Sequence, residues 1–275
     1  MAAVTTERLL NLALELAGIT EVPPDSGVYF SGTRISSILL GVDVSAADLF
    51  MARQLGFHAV VTYTPPGLLG PAWDTYRDLH LRQLTEVGVP ADDAETAVDG
   101  GAAALRLEAL RENYDTAASV AALLETPLVG ICSPLATIGQ RIIQQTVNGP
   151  SDGTVAGVRA ALLALPEFAA ARPPMALVHG AWDAPPGRIV VVTGGLRPPD
   201  YAIARAYLTH GVGTLCCADF AYEDARRLAS EGVPGNVLVL GRIACASVGI
   251  NPYVARLRGE GLEVRTFAGV VGGPE

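Results

Sequence analysis

The stretch "RISSILLGVDVSAADLFMARQLGFHAVVTYTPPG", residues 34–67, decides the fold. Ile38, Leu39 and Leu40 form a short apolar run that stops at Gly41-Val42-Asp43. "SAADLFMARQLG" then reads as a helix closed by Gly56. "HAVVTYT" is a second apolar run, and Pro65-Pro66-Gly67 ends it because proline cannot donate to a ladder. Two apolar strands joined through one helix make a βαβ unit, which demands parallel pairing and a right-handed crossover. Ligands gather at the carboxyl ends of strands in such folds. Here those ends carry Asp43, Tyr63 and Thr64.

Working outward, residues 6–17 read as an amphipathic helix with Leu9, Leu10, Ala13, Leu14 and Ala17 on one face, followed by the loop "EVPPDSG". Residues 73–125 are mostly helical, with the second helix broken or delayed at Gly100-Gly101. "PLVGIC" is a third strand, and "PLATIGQRIIQQTV" a helix that ends at Asn148-Gly149-Pro150, the strongest boundary signal in the chain. Residues 151–187 hold one helix and a proline-rich stretch. The βα alternation then resumes with the strands "RIVVVTGG", "VGTLCC", "NVLVLG" and "EVRTFAG" separated by helices. The expected fold is α/β with two α/β lobes built from largely parallel βαβ units. The lobes are expected at 1–150 and 188–275, with an insert or linker at 151–187. No short-period repeat is visible, and the sequence alone does not establish that the lobes are related.

The net charge of −9, with all 19 basic residues arginine, argues against a nucleic-acid surface or an anionic membrane as partner. No uncharged apolar run approaches the ~20 residues of a membrane span. Charges at Glu7, Arg8 and Glu15 make the first helix unlike a signal peptide. The four cysteines form no C-x-x-C pair, so the expected compartment is the reducing cytoplasm.

Five motifs in this frame resemble the Nif-three-like family (NGG-one-interacting factor three, or GTP cyclohydrolase I type 2-like). The likeness covers nearly the whole chain. Where the family has a strand ending in paired histidines, Pro and Gly, this chain has Tyr63-Thr64-Pro65-Pro66-Gly67. For "HTPADN" it has "CSPLAT", with Pro134 kept, Cys132 in place of histidine and Ala136 in place of the aspartate. Thr193-Gly194-Gly195 and Gly211-Val212-Gly213-Thr214 are intact, and Asp219 stands near a histidine position. For "GHMASD-GLN" it has "GRIACASVGIN", with Arg242 for histidine and Ala246 for the acid. The resemblance implies two related lobes facing a central cleft that holds two metal ions, and assembly into higher oligomers. The replacements imply that this member holds no metal and needs no cofactor. Divalent metals want imidazole, carboxylate or thiolate, and Arg242 puts a permanent cation in their place.

The candidate cleft residues are therefore Asp43, Tyr63, Thr64, Cys132, Ala136, Asp219, Arg242 and Ala246. Residues 242 and 246 are four apart at a helix start and are expected on one face. Arg242 either binds an anion or pairs with Asp43 or Asp219. Asp43 is a general base or, more simply, the cap of the following helix. Thr193-Gly194-Gly195 is a phosphate cradle or a tight turn. Cys132 and Cys245 match no activating histidine among His58, His80, His179 and His210, and read as buried thiols. The expected role is a non-catalytic scaffold or a binder of an anionic small molecule, with the protein a homo-oligomer (hexamer or dimer). The alternative is a hydrolase of a nucleotide-like or phosphorylated small molecule.

Overall fold

The computed structural model describes residues 3–67, 72–111, 113–149, 152–194 and 197–273. Gly195 and Pro150, named above, lie outside them. In chain order the elements are α1 (Thr6–Ala17), β1 (Gly27–Phe30), β2 (Ser37–Gly41), α2 (Ala46–Gln54), β3 (Ala59–Thr62), α3 (Ala72–Glu86), α4 (Ala91–Ala109), α5 (Thr116–Leu123), β4 (Leu128–Gly130) and α6 (Ser133–Val147). They continue with α7 (Val155–Leu162), α8 (Pro166–Ala170), β5 (Ala176–His179), β6 (Arg188–Val192), α9 (Tyr201–Thr209), β7 (Val212–Cys217), α10 (Tyr222–Ser230), β8 (Asn236–Val239), α11 (Arg242–Gly259) and β9 (Glu263–Phe267).

The strands form two sheets, ordered β1-β4-β3-β2-β9 and β5-β8-β7-β6. β2 pairs β3, and β3 pairs β4, in parallel, so the opening βαβ reading holds. Every residue of β2, β3 and β4 is buried, which is why these runs are apolar throughout rather than alternating. The two sheets repeat one plan. Each has a set of three parallel strands, β4-β3-β2 and β8-β7-β6, with an antiparallel edge strand, β1 on β4 and β5 on β8; the first sheet adds β9 as a fourth parallel strand. Each antiparallel pair even carries its register shift at the corresponding place, between Val28 and Phe30 and between Leu177 and His179.

The sheet membership crosses the expected lobe divisions twice. β5, within the proline-rich 151–187 stretch, belongs to the second sheet, and α7 and α8 cover its face through Val158, Leu162 and Phe168. β9, near the chain's end, leaves the second sheet and extends the first by pairing in parallel with β2. β1 and β5 escape sequence reading because each is a four-residue edge strand beside a loop, with mostly half-buried side chains.

α6 and α11 lie between the sheets and serve both cores. Leu135, Ala136, Ala246 and Ile250 pack on the first sheet, while Ile143, Val147, Ala244 and Val248 pack on the second. The two helices cross at paired glycines. A Cβ at Gly139 would lie 3.0 Å from the Cys245 carbonyl, and one at Gly249 only 2.0 Å from the Leu135 carbonyl. Each glycine thus faces the carbonyl one turn before its counterpart, a local two-fold relation that matches the repeated sheets. α2 and α5 cover the far face of the first sheet, and α3, α4, α9 and α10 that of the second.

Gly100-Gly101 does not break a helix. α4 runs through both, and the break comes later, between Leu110 and Asp115. The reason is packing: a Cβ on Gly101 would sit 2.2 Å from the buried Tyr76 hydroxyl of α3. The missing side chain is filled by tyrosine, and the α3–α4 contact outweighs glycine's poor helix propensity. Among the described residues no helix is long and apolar enough to cross a membrane.

Candidate functional site

The ends of both sheets converge on the first turns of α6 and α11. On the first sheet, the β3 tip is locked to the β2 tip by Tyr63 N donating to the Gly41 carbonyl (3.0 Å) and Thr64 N to the Val42 carbonyl (2.8 Å). This sets the Thr64 Oγ1 hydroxyl to donate to Asp43 Oδ1 at 2.6 Å. Arg242, the first residue of α11, reaches across from the second half. Its Nη1 donates to Thr64 Oγ1 at 3.2 Å and its Nη2 to Asp43 Oδ2. Asp43 is not a helix cap: Ser45 caps α2, in a capping box with Asp48. Burial acts to raise the Asp43 pKa, but the hydrogen bonds from Arg242 and Thr64 and the arginine's charge prevail, and it lies below the ordinary carboxylate value. The pair is about half exposed, with side-chain exposures of 47% for Arg242 and 54% for Asp43.

Behind this pair is a cavity of about 130 Å³, lined among others by Tyr63, Cys132, Thr193, Arg197, Asp219 and Arg242. Tyr63 is buried and packs into the first core. Burial pushes its pKa well up, and the nearby Asp25 adds to that against the opposing pull of Arg242. Burial, then Asp25, likewise pushes the Cys132 thiol well above the ordinary value, so it is no ready thiolate. The Thr193 Oγ1 is buried without a hydrogen-bond partner among the described residues. Asp219 does not pair with Arg242. Its Oδ1 accepts the Phe220 N–H at 2.8 Å.

The remaining expected residues are nearby but not in the cavity. Ala246 is only 1% exposed and packs with Tyr63, Leu135 and Ala136 in the first core. One turn into α11 is already beneath the α6 crossing, so residues 242 and 246 share a helix side but not a surface. Ala136 lies against Gly194 at the edge of an adjoining groove. The backbone N–H groups of Thr193 and Gly194 are turned to the Gln140 Oε1, at 3.3 and 3.4 Å, rather than toward an anion.

Three contributors were missed in the sequence. Asp25 and Ser26, inside the "EVPPDSG" loop, hold the start of α6. Ser133 donates to Asp25 through Oγ (2.6 Å) and N (3.2 Å), and Cys132 N donates to Ser26 Oγ at 3.0 Å. An adjacent Asp-Ser pair after two prolines is a turn and cap signal, but nothing in the sequence names a helix 108 positions away as its object. Arg197 lines the cavity from the loop after β6 and pairs with Glu108. Among the described residues no three His, Cys, Asp or Glu side chains are placed to hold a metal ion together.

No family model matches the sequence, and no curated protein does. Solved structures do match. A NIF3 superfamily protein from Sphaerobacter thermophilus is 38% identical, with 98% of this chain and all of that one covered at a TM-score of 0.92. Reduced HcgD from Methanocaldococcus jannaschii is 9% identical over 97% of this chain and 98% of that one, at a TM-score of 0.64. A Bacillus cereus protein related to NIF3 is 8% identical over 96% of each chain, at 0.54. The last two share the fold; the first, by identity and coverage together, establishes that this chain belongs to the NIF3 superfamily.

Proposed function

We propose that the cleft of this NIF3 superfamily protein is a binding site for a small anion, and that it neither holds the metal pair expected of the family nor hydrolyses its ligand. The observation that carries this reading is Arg242. Its guanidinium occupies the Asp43 carboxyl and the Thr64 hydroxyl, the oxygen donors that a cation at the first strand tips would need. The donor set around it does not fit a divalent pair, since phenol, hydroxyl and methyl groups replace imidazole and carboxylate. Nor does it suit a hydrolase, which needs a base or nucleophile poised near neutral pH. Asp43 is engaged, and burial pushes Tyr63 and Cys132 away from that range. An anion entering the cavity would compete with Asp43 for the half-exposed guanidinium. Two further features belong to the same reading. Exposed Phe50, Leu55 and Leu123 on the first sheet's outer helices offer apolar surface for a homo-oligomer, which light scattering tests. The four buried, unpaired thiols suit a reducing compartment.

The test has two arms. Protein purified without chelator should contain far less than one transition metal per chain by elemental analysis. Thermal stabilisation by added phosphate or carboxylate should appear in the wild type and vanish in Arg242→Ala. A stoichiometric metal, or stabilisation that survives the substitution, overturns the reading.

A further inference from the structure

The two sheets also differ along one edge. In the first sheet the edge of β2 is filled by β9, which pairs with it in parallel over Ser37–Gly41 and follows directly from α11. α6 is the counterpart of α11 in the helix crossing, but the chain after it runs into α7, which covers a sheet face instead. The corresponding edge of the second sheet, that of β6, therefore receives no strand.

Along β6 lies a groove walled by α3 and α6. Two adjoining hollows of about 440 and 690 Å³ share Gln83, Glu86, Gln140 and Gln144, and between them reach from Gly187 to Gly194. The ladder groups of β6 open into it. Val191 N donates to Gln144 Oε1 (2.9 Å), and the Ile189 carbonyl accepts from Gln144 Nε2 (3.2 Å). The N–H and carbonyl of one strand residue point to the same side, so the Ile189 N–H and the Val191 carbonyl face the groove as well. One turn earlier on α6, Gln140 Oε1 accepts from Thr193 N at 3.3 Å and Gly194 N at 3.4 Å. Two glutamine side chains thus stand where the first sheet has a strand.

A side-chain plug by itself protects an edge from unwanted pairing. This one sits in a channel whose charge is opposite to that of the protein. Among the described lining residues three arginines, Arg82, Arg141 and Arg188, face one acid, Glu86, in a chain of net charge −9. Arg82 is 4.0 Å from Glu86. Arg141 and Arg188, at opposite ends of the groove, donate only to the Ala17 and Val87 carbonyls and form no ion pair among the described residues. Both are exposed.

We infer that this groove docks an extended, acidic segment of another protein, which displaces Gln144 and adds to β6 in parallel, as β9 adds to β2. Main-chain hydrogen bonds to Ile189 and Val191 carry the affinity, and Arg141 and Arg188 select carboxylates near the two ends of the segment. About five residues, roughly 17 Å of strand, match the length of β6. The inference is independent of the cleft and its ligand.

The experiment selects a display library of random heptapeptides against the full chain and measures the recovered peptides by fluorescence anisotropy. They should be rich in aspartate, glutamate and β-branched residues and poor in proline and lysine. Arg141→Glu combined with Arg188→Glu should weaken them at least tenfold. N-methylation of one set of alternate peptide residues should abolish binding and the other set should be tolerated, because a strand turns alternate N–H groups to its neighbour. Gln144→Ala should tighten binding about tenfold, since the peptide no longer has to displace two hydrogen bonds. The inference is overturned by no enrichment over an unrelated protein, by peptides that bind the double arginine variant as tightly, by equal tolerance of both N-methylated sets, or by unchanged affinity in Gln144→Ala with normal circular dichroism. A fall in oligomeric mass of the double variant by light scattering also overturns it, because the edge is then covered by a second copy of this chain.

Discussion

The two sheets share a plan and differ at their tips. Counting two residues beyond the last paired row of each sheet, the first presents Asp43, Thr64 and Cys132, and the second Gly194, Asp219 and Gly241. Every residue of one tip carries a polar or titratable side chain; the other is two glycines and an acid. Close to the tips the strands behind them are mostly buried in both sheets, completely so in β2, β3 and β4. The difference teaches that pairing and burial set the architecture, whereas the tip residues, whose side chains lie beyond the paired rows, are free to carry chemistry. The asymmetry has a structural consequence. The bare second tip leaves space, and α11 sends Arg242 through that space to the furnished first tip.

The largest effect expected from disturbing this relation is at the helix crossing. Gly249→Ala drives a Cβ against the Leu135 carbonyl at 2.0 Å, a backbone contact that cannot rotate away, and should destabilise by about 3 kcal/mol or more. Gly139→Ala, at 3.0 Å from the Cys245 carbonyl, should lose only about 1 kcal/mol. Chemical denaturation of both variants checks the ratio. Equal losses would mean that the two-fold relation is closer than the contacts indicate.

Next in size is His80, which is fully buried beneath the second tip and donates to the Arg197 carbonyl at 3.4 Å. Burial, only partly offset by that bond, lowers its pKa to about 4 from 6.5. The unfolded chain therefore binds this proton first. Stability is full above about pH 6.5, falls as pH drops, and levels off below about 4, for a total on the order of 3 kcal/mol. In His80→Leu that part of the slope should disappear from unfolding curves measured between pH 7 and 4.

A middle effect concerns the open edge of the second sheet. Gln144 acts there as a strand mimic, accepting from Val191 N (2.9 Å) and donating to the Ile189 carbonyl (3.2 Å). Gln144→Leu should cost about 1–2 kcal/mol by thermal unfolding. In the first sheet the corresponding edge, that of β2, is filled by β9 instead, so the comparison predicts this sensitivity in the second sheet only.

The smallest effect is at the exposed pair. Asp43 is held below the ordinary carboxylate range, so its contribution is present above about pH 4 and is lost as pH falls through its lowered value. Asp43→Asn should change stability at neutral pH by less than about 1 kcal/mol, because the pair is half in solvent. A larger loss in thermal unfolding would mark Asp43 as part of the fold rather than of the site.

The apolar runs at residues 38–40, 59–61 and 128–129, punctuated by Gly56, Pro65 and Gly149, determined the α/β class, most elements and the chemistry of the strand tips. Those signals are local, because burial on both faces and proline's missing N–H act on a residue wherever it lies. Tertiary structure alone decided the rest. It sent β9 back to the first sheet and chose Asp43 rather than Asp219 as the partner of Arg242, 199 positions away, leaving the α2 cap to Ser45. It kept α4 continuous through Gly101 because Tyr76 fills the gap. It also brought Asp25 to Ser133 and gathered Thr193, Arg197 and Asp219 around one cavity. Each of these depends on which long-range partner is present, and a hydrogen bond or a missing Cβ leaves no periodicity along the chain to announce it.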